Sequence, residues 1–248
     1  MKKTVPLLLL ATLCVACSGS EAGEREGEAM AADAPPAQDM PNTLTAAERE
    51  AGWRLLFDGA TLDGWRGYHE EELPSGWRVE EGTLHRFAGG GDLVTAEAFT
   101  NFELSLEWRV GPAGNSGIMY LGALGSRDMF RSAPEFQVLD DAGHRDGQSP
   151  LTSAGANYGL HAAPRGVVRA AGAWNQARIV VENANVEHWL NGQKVVEYVL
   201  GSPEWKALVV ASKFDQWPEY GTARTGHIGL QDHGDPVWYR NIKIREIR

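Results

Sequence analysis

The chain has 248 residues and a formal net charge of −10, from 33 acidic residues against 23 Lys and Arg, and 43% of its residues are apolar. An acidic chain without a basic run is excluded as a nucleic-acid binder, because phosphate contacts need clustered Lys and Arg. Both cysteines, Cys14 and Cys17, lie near the N-terminus, so the rest of the chain offers no disulfide and no thiol nucleophile.

The chain begins MKKTVPLLLLATLCVAC: two lysines, then an apolar run over Val5 to Leu13 that is too short to span a bilayer. Val15 and Ala16 directly before Cys17 resemble the cleavage box of bacterial lipoproteins, with Cys14 where that box usually carries Leu. Residues 1–16 then form a lipoprotein signal peptide, and Cys17 is the lipidated first residue. Ser18 after it resembles lipoproteins held in the outer membrane of a Gram-negative bacterium. The expected location is therefore exported and membrane-anchored, on the periplasmic face or the outer membrane. Removing Met1 to Ala16, with Lys2, Lys3 and no acid, takes the net charge from −10 to −12. Residues 17–45 are small, acidic and proline-containing, and read as a flexible tether. Residues 46–248 suit a single all-β domain.

Within that domain short alternating segments dominate. Trp77–Glu80 and Thr83–Phe87 flank a Glu81-Gly82 turn and read as a hairpin. Phe102 to Val110, FELSLEWRV, alternates over its full length. In GNSGIMYLG, Ile118 and Tyr120 fall on one strand face and Met119 and Leu121 on the other. In PEFQVLDD the parity puts Glu135 and Gln137 opposite Phe136 and Val138. Ala177 to Tyr198 holds three candidate strands, the last two joined by Asn191-Gly192. Ser202 caps one expected helix, with Pro203 at its first position. GHIGLQDHG alternates again, with His227 and Gln231 opposite Ile228 and Leu230. In the closing VWYRNIKIREI, Trp238, Ile242 and Ile244 are expected to share a face. Many antiparallel strands with one minor helix predict two stacked sheets, a β-sandwich.

Familiar catalytic signatures are missing: no Gly-x-Ser-x-Gly elbow, no His-Glu-x-x-His, no phosphate loop and no dinucleotide fingerprint. AGGGD, residues 88–92, reads as a loop. Asp140, Asp141, His144 and Asp146 in DDAGHRD offer ligands to a divalent cation. They lack the spacing of a calcium loop, and a solvated loop is the preferred reading. On residue types alone, Gln231, Asp232 and His233 read as a polar turn closing a strand.

GWRLLFDGATLDGW, GNSGIMY, PEFQVLDD, EHWLNGQKVVEY, ASKF and GHIGLQDHGDPVWYRNIKI occur in that order over residues 51–247. Together they resemble the 3-keto-disaccharide hydrolase family, whose fold is a concanavalin-like jelly-roll sandwich of two antiparallel sheets. The resemblance implies a sugar site on the open face of the concave sheet, holding Glu135 and Gln137, with Tyr120, Gln231 and His227 from neighbouring strands. The implied activity is cleavage of a 3-keto-disaccharide or other 3-keto-glycoside, with no cofactor required. In that chemistry Glu135 is the candidate base, and Lys213 of ASKF steadies the enolate or protonates the leaving group. Asn115, Tyr120, Gln137, Tyr158, Gln231 and His233 are the candidate substrate contacts. For Lys213 the alternative is a solvated lysine at a helix end. Members often carry Arg shortly after the Asn-Ser-Gly-Ile strand, where this chain has Tyr120-Leu121-Gly122; that contact is either lost or supplied from elsewhere, for example by Arg127 or Arg131. The rival to an enzyme is a carbohydrate-binding module or surface lipoprotein with the same sandwich and no catalysis.

Overall fold

The alternating segments become thirteen strands in two antiparallel sheets. The computed structural model describes residues 40–247, so the signal segment, Cys17 and the tether as far as residue 39 lie outside the described residues. In chain order the first strands are β1 (Arg54–Leu55), β2 (Trp65–Gly67), β3 (Trp77–Glu80), β4 (Thr83–Arg86) and β5 (Leu93–Thr95). The long central strands follow: β6 (Phe102–Val110), β7 (Asn115–Gly122) and β8 (Glu135–Leu139). The last five are β9 (Asn175–Glu182), β10 (Asn185–Leu190), β11 (Gln193–Val199), β12 (His227–Leu230) and β13 (Val237–Glu246). One sheet runs β11-β10-β9-β6-β13-β4-β3, with β1 added on β13. The other runs β2-β5-β12-β7-β8. This is the expected concanavalin-like sandwich.

The core between the sheets is built by the predicted parity. Phe102, Leu104, Leu106 and Trp108 of β6 meet Ile118 and Tyr120 of β7 and Phe136 and Val138 of β8. Both predicted tight turns form with left-handed backbone at their two central residues. Glu81 and Gly82 have φ of 49° and 70°, and Asn191 and Gly192 have 50° and 83°. That geometry matches the twist of the strands it joins. Helix α2 (Pro203–Val210) starts as predicted, Ser202 accepting from the Trp205 amide.

Three readings change. The first concerns β13, where register shifts between Arg240 and Lys243 and Asn241 takes φ 53°. The extra residue swaps the parity, so Tyr239 joins Ile242 and Ile244 in the core, and Trp238 does not. The second is a further helix, α1 (Ala46–Glu50), held by a capping box between Thr45 and Glu48. The third is the tether boundary. Asn42 is buried, its amide nitrogen donating to Asn241 Oδ1 and its side chain to the Gly82 carbonyl at 2.8 Å. Packed structure therefore begins ahead of residue 46.

Two segments partly cover the outer face of the five-stranded sheet. Ala154–Tyr158 runs along edge strand β8: the Gln137 amide donates to Ala156 O at 3.1 Å, and the Tyr158 amide to Glu135 O at 3.1 Å. This pairing removes an open sheet edge. On the other side Met129 drops onto Gly122 and Gly229, where any Cβ would lie 2.2–2.3 Å from its side chain. With Tyr68, Val94, Met119 and Ala133 it forms a second small core.

Candidate active site on the five-stranded sheet

The part of that face left open between the two segments is a cavity of about 220 Å³. Asn115, Glu135, Gln137, Tyr158, Lys213, Gln231 and His233 line it, together with Phe130 and Phe214. Pairing of Gly117 with Gln137 and of Met119 with Glu135 puts Asn115 and both β8 side chains on one face. The Gln231 amide bonds to Gly117 O at 3.0 Å, which brings β12 alongside. Gly117 forms the floor: an added Cβ there would lie 2.2 Å from Glu135 Oε1. The carboxyl of Glu135 thus rests on a position of β7 that has no side chain to exclude it.

Glu135 is buried, and among the described residues no side-chain hydrogen bond holds its carboxyl. Burial pushes its pKa up to about 8; Asp92 and Asp146 add to the rise, and the Lys213 charge opposes it. Lys213 is exposed, opens a short 3₁₀ turn (Lys213–Gln216), and puts Nζ 4.4 Å from the centre of the Tyr158 ring. Among the described residues it has no carboxylate ion-pair partner. It lines the cavity and lies three residues beyond the end of α2, so its position fits both a substrate contact and a solvated helix-end lysine. Tyr158 is fixed by donating to Asp146 Oδ2 at 3.2 Å.

Three carboxamides complete the wall, and each has a buried oxygen without a partner: Asn115 Oδ1, Gln137 Oε1 and Gln231 Oε1. A buried polar atom left unpaired costs about 1–3 kcal/mol. Three of them converging on one cavity mark places where ligand hydroxyls supply the missing bonds. His233 approaches Asn115 Nδ2 at 3.4 Å, and burial lowers its pKa, leaving a neutral imidazole at pH 7. Phe130 and Phe214, not anticipated, supply the apolar surfaces. Phe214 neighbours Lys213 in ASKF; nothing local in the sequence marked Phe130.

Four expectations are corrected. Tyr120 does not face the cavity: it shares parity with Ile118, and Ile118 pairs with Phe136, so its ring lies in the inter-sheet core. Its hydroxyl meets His188 Nε2 at 2.7 Å and the Tyr198 hydroxyl at 2.6 Å. His227 lies beyond a register shift in β12, its Nδ1 is 2.7 Å from Thr95 O, and it does not line the cavity. Arg127 and Arg131 do not line it either; Arg131 is paired with Asp128 at 2.7 Å, and Arg127 is exposed. In DDAGHRD, Asp140 accepts from Ala113 N and Asp141 from Ala154 N, both at 2.8 Å. Those carboxylates pin the loop through backbone amides rather than standing free in solvent.

Residues 52–245 match the model of the 3-keto-alpha-glucoside-1,2-lyase-like domain. A 3-keto-disaccharide hydrolase from Bacteroides thetaiotaomicron is 37% identical, over 96% of this chain and 95% of that protein. A crystal structure of a candidate glycosyl hydrolase from Parabacteroides distasonis is 32% identical with a TM-score of 0.79, covering 84% of this chain and 100% of that one. A second from the same organism is 29% identical with a TM-score of 0.63, covering 79% and 99%. By its sequence over nearly the whole folded region, the chain belongs to the 3-keto-alpha-glucoside-1,2-lyase-like domain family.

Proposed function

We propose that this protein cleaves the glycosidic bond of 3-keto-glycosides, 3-keto-disaccharides among them, by elimination across C1 and C2 followed by addition of water. The observation that carries the reading is a buried carboxyl with no hydrogen-bond partner among the described residues, in a cavity that Lys213 also lines and into which three carboxamide oxygens without partners converge. A ketone at C3 acidifies the proton on C2. Glu135 as carboxylate takes that proton, and the electron pair becomes an enolate spread onto the C3 oxygen. Lys213, at the rim of the cavity, supplies positive charge toward the developing oxyanion. The C1 substituent then leaves with its bonding pair. Asn115, Gln137 and Gln231 hold sugar hydroxyls, and Tyr158 and Phe214 flank the ring. A carboxylate whose pKa is raised to about 8 is a stronger base for a carbon acid than an ordinary glutamate.

We also infer that Cys17 carries a lipid that anchors the enzyme to the membrane of an exporting cell; the N-terminal pattern supports this.

The test is turnover of a 3-keto-disaccharide beside its unoxidised parent. Cleavage of the oxidised sugar alone is expected. As a base, Glu135 must be ionised, so its ionisation gives kcat/KM a rising limb that is half complete near pH 8. Cleavage of both sugars at similar rates would contradict the elimination, and binding without cleavage would make the protein a lectin.

A further inference from the structure

The cavity does not end at Gln231. A second compartment of about 320 Å³ adjoins it and shares three walls with it: Phe130, Gln231 and His233. Tyr68, His69, Gly91, Asp92, Asp128 and Asp232 close the far side. A disaccharide needs two sugar sites, and the two compartments together fall within the roughly 300–1,000 Å³ typical of ligand pockets. If the first compartment holds the oxidised ring over Glu135, the second receives the group that leaves C1.

Resting on the proposed elimination, we propose that the second compartment is the leaving-group site and that Asp92 is the acid that protonates the departing oxygen. Asp92 stands where β5 begins, directly before Leu93, which pairs with Leu230 of β12; the next residue, Gln231, is in the shared wall. One carboxyl oxygen, Oδ1, accepts from the Asp232 amide at 2.9 Å. The other takes no hydrogen bond among the described residues. Asp232 is itself locked, by Arg86 at 2.6 Å and by the amides of Gly90 and Gly91 at 2.9 Å. The glycine-rich loop thereby becomes a clamp that aims Asp92. Burial pushes the Asp92 pKa up to about 6; the Asp232 amide and His69 oppose the rise, and the charges of Asp232 and Asp128 add to it. A protonated fraction thus persists near neutral pH. Two other titratable groups facing the compartment, Asp128 and His233, are poorer donors. Asp128 is paired with Arg131, and His233 is a neutral imidazole.

The proton and electron balance closes within the protein. Glu135 takes the C2 proton, the C1–O bond breaks as C1=C2 forms, and the leaving oxygen takes its proton from Asp92. In the return step water adds its oxygen to C1 and gives a proton to Asp92, while Glu135 returns its proton to C2. The product is the free 3-keto-sugar, and both carboxyls regain their starting state.

The experiment measures wild type, Asp92→Asn and Glu135→Gln on a 3-keto-disaccharide and on 4-nitrophenyl 3-keto-α-glucoside, whose nitrophenolate leaves without a proton. Asn keeps the acceptor oxygen for the Asp232 amide. Asp92→Asn is expected to lower kcat about 10²–10⁴-fold on the disaccharide, the usual effect of removing a general acid, and less than about tenfold on the nitrophenyl glycoside. Glu135→Gln is expected to lose activity on both. Equal losses for Asp92→Asn on the two substrates would overturn the role of Asp92 and leave the elimination standing. Wild type that cleaves neither would contradict the elimination, and this inference with it. Should Asp92→Asn fail to fold, wild-type rates over a series of substituted phenyl 3-keto-glucosides decide. Rates nearly independent of leaving-group acidity support the protonated departure, and a steep dependence overturns it.

Discussion

Glu135 shows how a function leaves its mark on stability. Its pKa lies near 8 in the fold, against 4.5 as the ordinary glutamate value. The folded protein therefore binds a proton that the unfolded chain has released between those two values, and stability falls as pH rises through that window. Above pH 8 the buried charge costs on the order of a few kcal/mol. Glu135→Gln removes the charge and keeps the shape. The variant should match wild type in Tm at pH 4 and melt several degrees higher at pH 9. Equal melting curves at both pH values would show that the carboxyl is solvated in the fold. Sequence parity placed Glu135 and Gln137 on a face opposite Phe136 and Val138. For Tyr120, parity within its own strand was also right. What the sequence lacked was the pairing of Ile118 with Phe136, a fact about two strands that decides which side is core.

At the level of elements, strands and tight turns were legible because their causes are local: alternation, Asn-Gly, and a Ser-Pro helix start. Register was less so. The bulge at Asn241 swaps parity within β13, and it is held by Asn42, which lies 199 positions away in the chain. The second compartment was likewise invisible, since Asp92 and Gln231 meet only when β5 pairs with β12. Gly117 shows what the assembled face demands. Its backbone tolerates any residue, yet a Cβ would displace Glu135 Oε1. Gly117→Ala should therefore fold, with its Tm within a few degrees of wild type, and lose at least about tenfold in kcat as the carboxyl shifts. Full activity in Gly117→Ala would mean that Glu135 is not held over that position during turnover.

Across the whole domain the two outer sheet faces are finished differently, and this locates the chemistry. On the eight-stranded sheet, long side chains close the face on themselves. The Arg109 guanidinium lies between Trp174 and Trp238, at 4.9 and 4.6 Å, and His85 stacks on Trp238 at 4.5 Å. Glu103 pairs with both Arg178 and Arg245, and Glu107 with Arg240. The five-stranded sheet instead carries the bridging segments, and they leave a cavity floored by glycine. The lipid anchor proposed at Cys17 is tested separately. Cys17→Ser is expected to move the protein from the membrane to the soluble fraction, with Cys14→Ser unchanged; equal membrane retention of both variants would remove the anchor.

The central claim is that the C2 proton is removed for the glycosidic bond to break, before water adds a hydroxyl at C1, and one measurement reads that proton. The reaction is run in deuterated water with a 3-keto-disaccharide, and the released 3-keto-sugar is analysed as it forms, ahead of spontaneous exchange. Deuterium at C2 in each released sugar is the expected result, because the carbon is reprotonated from a carboxyl in exchange with solvent. Glu135→Gln should show neither label nor release. Release of the sugar with hydrogen retained at C2 would contradict the account, since the bond would then have broken without forming the enolate for which Glu135 and Lys213 are arranged.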